Sequence, residues 1–189
     1  MKDTLRKEMI KRRLSLSDEE RFEREGMINE KLKTLGIFEN VETVAVYMPV
    51  RGEVNILPFA EYMKKQGKQI FLPKVVGKKL LFGRYTKDLT EGMYGILEPV
   101  EAEVLPSEIE AFVVPGVAFD FDCNRLGYGG GYFDGIMARR KPYQCFVGVG
   151  FSFQVVDILP TDEWDEKVDL LVTDSHLIVS STKSLIGGV

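Results

Sequence analysis

Apolar residues recur with helical spacing at the start of the chain. Residues 3–14 place three apolar side chains on one stripe among arginines and lysines, which predicts an amphipathic helix with a cationic face. The sequence SDEE at 17–20 fits a capping box, so a second helix is predicted to open there and to close at Gly36. Two helices are therefore expected before the first strand.

Short apolar runs replace the helical spacing after residue 42, and they are typical of strands that are buried on both faces. Strands are predicted at 43–48, 69–76, 80–85, 111–119, 144–151, 169–173 and 176–180. Residues 56–66 and the segment from Tyr132 predict helices, whereas residues 86–108 show no periodicity and predict a loop. Alternating strands and helices predict an α/β fold, a three-layer sandwich with a mostly parallel central sheet, in one domain over residues 1–189.

The overall charge and the cysteine content exclude some classes of protein. A formal net charge of −4 over 189 residues argues against a protein that mainly grips a nucleic-acid backbone. Two cysteines, Cys123 and Cys145, are too few for a disulfide framework or a four-thiolate zinc site. The charged N-terminal residues contain no apolar segment of a signal peptide or a membrane span, so a cytoplasmic protein is expected.

The stretch RLGYGGGYFD at residues 125–134 is the strongest candidate for a site. Its four glycines allow successive backbone N–H groups to line one concavity, where they bind phosphate oxygens. Arg125 offers a fixed positive charge, Asp134 is a hard oxygen ligand suited to Mg²⁺, and the aromatic rings can stack on a planar ligand. Because the stretch follows a predicted buried strand, it lies where α/β sheets bind ligands.

The glycine pattern differs from the two common phosphate-binding motifs. G-x-G-x-x-G fails because its last position, counted from Gly127, is Tyr132, and G-x-x-x-x-G-K-[ST] does not occur in the sequence. A glycine-rich turn that only lets a strand and a helix pack closely is the structural alternative at this point.

Two charged clusters are ambiguous when each is taken alone. Lys2 and Arg6 are four residues apart on one side of the first helix, so they either face solvent or reach one anion together. Asp165, within EWDEKVD at 163–169, is typical of a solvated loop charge. His176 is the only histidine and has no nucleophile motif nearby, so catalytic histidine chemistry is not expected.

Taken with other segments, the glycine stretch resembles the signature of the 5-formyltetrahydrofolate cyclo-ligase family, also called 5,10-methenyltetrahydrofolate synthetases. It follows R-L-G-x-G-x-G-Y-Y-D, with Phe133 in place of the second tyrosine. The other segments that resemble the family, in the family's order, are the pair Lys2 and Arg6, YMPVRGEV (47–54), YGILEP (94–99), VVPGVAFD (113–120), VGVGFSFQ (147–154) and WDEKVD (164–169). Gly135 and Cys123 depart from the arginine and the glycine that the family often has there. The resemblance covers nearly the whole chain.

The resemblance implies an ATP- and Mg²⁺-dependent enzyme that cyclises 5-formyltetrahydrofolate to 5,10-methenyltetrahydrofolate and releases ADP and phosphate. The implied fold is like that of the NagB/RpiA/CoA-transferase group. The residues implied to bind ATP are Lys2, Arg6, Arg125, Leu126, Gly127, Tyr128, Gly129, Gly130, Gly131, Tyr132 and Phe133. The residues implied to bind the folate are Met48, Glu53, Tyr128, Gly129, Gly130, Gly131 and Tyr132, and those implied to bind Mg²⁺ are Asp134 and Asp165.

The chemistry that the resemblance implies needs no catalytic side chain. We expect the formyl oxygen to take the γ-phosphoryl group, after which N10 attacks the activated carbon, and such a transfer depends on positioning and charge neutralisation. Two other functions stay open, a different small-molecule kinase or ligase on the same fold and a folate- or nucleotide-binding regulator without turnover. The expected partners are small molecules only, without nucleic acid or membrane, and the expected state is a monomer.

Overall fold

Four α-helices occur in the part of the chain that the computed structural model describes, residues 1–181. They are α1 (Lys2–Leu14), α2 (Asp18–Lys33), α3 (Leu57–Lys65) and α4 (Tyr132–Met137). The two helices predicted at the start are confirmed, and Ser17 and Glu20 form the predicted capping box. The predicted domain runs to residue 189, so its part over 182–189 lies outside the described residues.

The end of α2 differs from the sequence prediction. The helix stops at Lys33 and Thr34 caps it, so the prediction that Gly36 closes it is wrong. Gly36 instead opens a short 3-10 turn after Leu35, which has an extended backbone. Leu35 and Phe38 are both buried in the core. The burial of these two side chains sets where the helix ends. The position of a glycine in the sequence does not reveal such a tertiary contact.

The strands form one large sheet and two small ones. In chain order they are β1 (Thr43–Ala45), β2 (Gln69–Val76), β3 (Lys79–Arg84), β4 (Leu89–Glu91), β5 (Leu97–Pro99), β6 (Ala111–Pro115), β7 (Ala118–Asp120), β8 (Arg125–Leu126), β9 (Cys145–Val149), β10 (Val155–Val156), β11 (Leu170–Val172) and β12 (Leu177–Val179). The large sheet has the order β12-β11-β9-β6-β1-β2-β3. Its inner strands pair in parallel, and only the edge strands β12 and β3 pair antiparallel within the described residues. The predicted α/β fold with a mostly parallel sheet is confirmed.

Both faces of the large sheet are buried, as its continuous apolar strands predicted. In β6, Ala111 and Val113 face the cluster that includes residues of α2 and α3. Phe112 and Val114 face the opposite cluster, which includes Met137 of α4. Helices and connecting segments therefore cover the sheet on both sides. The narrower likeness to the NagB/RpiA/CoA-transferase group stays a prediction.

Two predictions for the middle of the chain are wrong. Residues 86–108, predicted as a loop, contain the antiparallel pair β4 and β5. The run 111–119, predicted as one strand, is divided at Gly116 into β6 and β7, and β7 pairs with β8 and β10 outside the large sheet. A Cβ at Gly116 would lie 2.4 Å from the Phe119 ring, so the chain can fold back here only because the side chain is missing.

The candidate segments follow strands of two sheets. The loop that carries Arg51 and Glu53 follows β1 and Gly116 follows β6, whereas residues 127–131 follow β8 of the three-stranded sheet. The carboxyl ends of β1 and β6 form the edge at which parallel sheets of this class bind ligands. Among residues 1–181, no helix is both long and apolar enough to cross a bilayer.

Candidate functional site

Arg125 fixes the position of the glycine loop, residues 127–131, through two hydrogen bonds. Its Nη1 donates to the Pro115 carbonyl and its Nη2 to Asp134 Oδ2, each over 3.0 Å. The Arg125 side chain is only 4% exposed. Arg125 therefore joins the end of β6 to the start of α4, and its predicted role in binding ATP stays a prediction.

The loop itself depends on glycine and on a contact from α1. Gly129 and Gly131 have φ angles of 101° and 69°, a backbone region that side-chain-bearing residues rarely adopt. Arg6 Nε donates to the Gly127 carbonyl over 2.8 Å. The predicted proximity of the first helix to the glycine loop is thus present in the fold.

A group of opposite charges lies on the α1 side of the loop, and we call Lys2, Arg6, Asp134 and Asp165 the charged side. Lys2 Nζ donates to Asp162 Oδ2 over 2.6 Å and to Asp165 Oδ2 over 2.5 Å. Burial disfavours the charge of Asp165, but hydrogen bonds from Lys2 and the Asp162 amide hold its pKa below the usual range. The ammonium and the carboxylate therefore stabilise each other as ions.

The charged side brings the two predicted Mg²⁺ ligands near each other. The Glu166 amide lies 3.5 Å from Asp134 Oδ1, so Asp134 faces the segment that carries Asp165. Within residues 1–181, no group of three or more His, Cys, Asp and Glu side chains is placed to hold a metal ion by itself. Two carboxylates still suit Mg²⁺, because proteins usually bind it through one or two carboxylates together with substrate phosphates.

A second group surrounds the Tyr128 side chain of the loop, and we call Arg13, Glu53 and Tyr128 the buried side. Glu53 is 6% exposed, its Oε2 accepts from the Val50 amide over 3.0 Å, and it interacts with the Tyr128 side chain. Burial raises the pKa of Glu53 to about 7, although the Val50 amide and the charge of Arg13 favour the ionised form. A carboxylate fixed in this way is a ready acceptor for a pair of ligand N–H groups.

Arg13 is a residue of the site that the sequence prediction missed. It is fully buried, and its Nη2 donates to the Tyr128 hydroxyl over 2.5 Å. A signal for it was present, because Lys2, Arg6, Met9 and Arg13 are spaced by four, three and four residues and so share the inner face of α1. The predicted cationic face of α1 therefore faces the site in part.

The remaining predicted residues differ in where their side chains lie. Met48 is partly buried against the cluster on the α2 and α3 face. Leu126 is 3% exposed in a third cluster that includes Met9, whereas Tyr132 and Phe133 pack against the cluster near α4. Leu126 and Phe133 thus serve the packing of the core, so a role for them in binding rests on their backbone groups.

The sequence and the fold both match one group of proteins. A model of the family described as "5-formyltetrahydrofolate cyclo-ligase family" matches residues 1–174. The chain belongs to this family. A relative from Mycoplasma pneumoniae, named 5-formyltetrahydrofolate cyclo-ligase, is 32% identical over 175 residues, which cover 92% of this chain and 98% of the relative.

Solved structures of cyclo-ligase relatives have the same fold. The 5,10-methenyltetrahydrofolate synthetase of Aquifex aeolicus is 39% identical and has a TM-score of 0.86, with 99% of this chain and 96% of that chain covered. The synthetase of Mycoplasma pneumoniae is 30% identical and has a TM-score of 0.77, with 92% and 98% covered. The resemblance noted from the sequence is therefore confirmed for the family and for the fold.

Two segments that carry the cyclo-ligase resemblance hold the two sides of the site. YMPVRGEV carries Glu53 of the buried side, and WDEKVD carries Asp165 of the charged side. At Cys123, where the family often has glycine, the backbone φ is 64°, which lies in the left-handed region that favours glycine.

Proposed function

We propose that this chain converts 5-formyltetrahydrofolate to 5,10-methenyltetrahydrofolate with ATP and Mg²⁺, and that it releases ADP and phosphate. Membership of the cyclo-ligase family supports the overall conversion. The observation that carries the proposal is the presence of two different groups at the glycine loop, a charged side suited to a metal-bound polyphosphate and a buried carboxylate near Tyr128. Two different ligands can therefore meet across one loop.

On the charged side, we infer that Lys2, Arg6 and the backbone N–H groups of residues 127–133 bind ATP. Lys2 and Arg6 supply positive charge to phosphate oxygens, and glycine N–H groups bind such oxygens without a desolvated side chain. In the free protein Lys2 is paired with Asp165. The nucleotide is expected to take over the hydrogen bonds of Lys2, so that Asp165 becomes available.

Asp134 and Asp165 would hold Mg²⁺ together with the nucleotide. When bound, Mg²⁺ supplies neutralisation of the phosphate charge that builds up during phosphoryl transfer. Asp134 keeps Oδ1 away from Arg125, which contacts Oδ2 over 3.0 Å. One oxygen of Asp134 is thus anchored by the protein while the other is oriented toward the 162–166 segment.

On the buried side, Glu53 would accept hydrogen bonds from N–H groups of the pterin ring. Met48 and the aromatic rings of Tyr128 and Tyr132 would offer apolar and planar surface to the same ring. This placement would hold the formyl group at the glycine loop, facing the γ-phosphate. The orientation of both substrates is what the chain contributes most directly.

The reaction then balances without a catalytic side chain. The formyl oxygen attacks the γ-phosphorus and the bond to ADP breaks, which leaves a phosphorylated formyl group on N5. The N10 lone pair attacks its carbon, the carbon–oxygen bond breaks, and phosphate leaves as the methenyl bridge forms. No acid or base of the chain is needed if the proton on N10 is lost to solvent or phosphate.

The direct test is a turnover assay with the purified chain, 5-formyltetrahydrofolate, ATP and Mg²⁺. We expect the absorbance band of the methenyl product to grow only when all three are present, with one ADP formed for each product molecule. Binding of folate or nucleotide without product would favour the regulator, and ATP consumption only with another acceptor would favour a different kinase.

Two broader expectations go with this function. We infer a monomer that works in the cytoplasm on small molecules, without nucleic acid or membrane. Size-exclusion chromatography with light scattering tests the first point, since a mass of twice the chain would contradict it.

A further inference from the structure

Arg13 is a buried cation without a carboxylate partner of its own. Its side chain is fully buried, and among residues 1–181 it forms no ion pair within 4.0 Å. Its Nη1 donates to the Gly116 carbonyl over 3.3 Å, its Nη2 donates to the Tyr128 hydroxyl, and its Nε has no partner in the described residues. Burying a charge in this way is costly, so the position of Arg13 calls for an explanation beyond packing.

The donor and acceptor roles at Tyr128 are fixed by chemistry. A guanidinium group can only donate, so the Tyr128 oxygen accepts from Arg13 and its own proton is free to point elsewhere. The Tyr128 side chain also interacts with Glu53. The hydroxyl proton is thus available to the Glu53 carboxylate, and donating it there would complete a chain of donors from Arg13 to an anion.

The other groups around Glu53 come from several elements. From its own loop, the Val50 amide donates to Oε2 and the charge of Arg51 favours ionisation. At the end of β1, the Tyr47 hydroxyl donates instead to the Val54 carbonyl over 2.7 Å. Burial raises the pKa of Tyr128 to about 12 and that of Tyr47 well above its usual value, so both stay neutral near pH 7. The cations that face Glu53 are therefore Arg13 and Arg51.

We propose that Arg13 is a positioning residue for the reduced folate, and that it acts through the Tyr128 hydroxyl to orient the Glu53 carboxylate. The proposal rests on the proposed function, in which Glu53 accepts hydrogen bonds from the pterin ring. A neutral Glu53 would present one hydroxyl donor to a ligand that offers donors, and binding would weaken.

The first test is Tyr128→Phe, which removes the hydroxyl and keeps the ring. The matched control is Tyr143→Phe, because the Tyr143 hydroxyl is also hydrogen-bonded, as a donor to the Ser107 carbonyl, but lies before β9, away from the glycine loop. We expect Tyr128→Phe to weaken 5-formyltetrahydrofolate binding about tenfold near pH 7, a loss typical of a hydrogen bond to a charged group. The KM for ATP should stay within about twofold of the wild type, and Tyr143→Phe should match the wild type in both.

The pH profile separates positioning from a merely structural role. Without the Tyr128 hydrogen bond the pKa of Glu53 rises further, so folate binding should be lost at a higher pH than in the wild type. The defect of Tyr128→Phe should therefore shrink as the pH is raised above 8. An affinity and a pH midpoint equal to those of the wild type would overturn the proposal, and so would a defect that is constant across pH.

Arg13 is tested by a pair of substitutions that retain or remove its charge. Arg13→Met should lower folate affinity at least as much as Tyr128→Phe and shift the pH midpoint in the same direction, whereas Arg13→Lys should restore part of both. If Arg13→Met does not fold, the Tyr128→Phe profile decides the matter alone. Folate affinity is measured by calorimetry without ATP, so that binding is tested separately from turnover. A chain that binds folate but lacks turnover would contradict the proposed reaction, and the role of Arg13 in folate binding could still be tested.

Discussion

The charged side and the buried side of the glycine loop differ in how exposed their charges are and in how those charges are stabilised. On the charged side, the Lys2 ammonium is about one-fifth exposed and pairs directly with Asp165 and the more exposed Asp162. On the buried side, Glu53 and Arg13 are almost or fully buried, and both interact with Tyr128. Ion pairs that solvent reaches exchange partners at lower cost than fully buried ones, which suits a site that must accept phosphates and a metal. Buried groups are fixed in place, which suits recognition of a ring.

The substitution Asp134→Asn should have the largest effect, because it changes the charged side where phosphoryl transfer is expected. We expect turnover to fall by roughly 100-fold or more, since metal neutralisation of phosphate charge contributes several kcal/mol. Folate affinity without nucleotide should change little. Steady-state kinetics over a range of Mg²⁺ concentrations measures the first effect and calorimetry the second.

The control for Asp134→Asn must separate catalysis from folding. The variant leaves the buried Arg125 without its carboxylate, which should lower the free energy of unfolding by about 3 kcal/mol. Turnover is therefore compared at a temperature where denaturation curves show both proteins folded, and the exposed Asp157→Asn is the matched control. Full activity of Asp134→Asn at saturating Mg²⁺ would remove Asp134 from the metal site.

The substitution Glu53→Gln should stabilise the protein at higher pH. The pKa of Glu53 is raised in the folded state to about 7, so its contribution to stability is complete below the unfolded value of 4.5 and is lost as the pH rises through 7. Glutamine cannot ionise and escapes this loss. The free energy of unfolding of the variant relative to the wild type should therefore rise by roughly 3 kcal/mol between about pH 5 and pH 8.

Urea denaturation at several pH values measures the effect of Glu53→Gln. The exposed Glu103→Gln is the control and should show no comparable change with pH. A difference that is flat across this range would mean that Glu53 is ionised as easily as an exposed carboxylate, and the contrast between the two sides would then disappear.

The substitution Lys2→Ala should have the smallest effect of the three. We expect the KM for ATP to rise about tenfold, the loss of one charge-assisted contact, while the free energy of unfolding changes by less than about 1 kcal/mol. Lys7→Ala, on the exposed face of the same helix, should leave the KM unchanged. An unchanged KM for ATP in Lys2→Ala would mean that Lys2 does not bind ATP and forms only a structural ion pair.

The helices and the inner strands were predictable because the signals for them are local. Apolar runs such as 144–151 are too long and too continuous for anything but a buried element. The hairpin of β4 and β5 was missed because its strands have three residues each and only Pro99 among them is buried, so they carry no apolar alternation. The break at Gly116 was missed because it depends on where the Phe119 ring packs.

The candidate site was predictable to the level of segments and less so to the level of contacts. The glycine loop, Lys2, Arg6, Glu53 and Asp165 were identified by motif, and the fold brings them to one edge of the sheet. The contacts of Arg125 with Pro115 and Asp134 and that of Arg13 with Tyr128 depend on burial and on the tertiary fold. A sequence pattern contains neither of these.

The most direct test of the central claim, that one loop separates a nucleotide site from a folate site, is a crossed calorimetric titration. Asp134→Asn and Glu53→Gln are each titrated with ATP and Mg²⁺ and, separately, with 5-formyltetrahydrofolate. We predict that Asp134→Asn loses affinity for the metal-bound nucleotide alone and that Glu53→Gln loses affinity for the folate alone. Equal losses of both ligands in either variant, with the protein folded, would contradict the account.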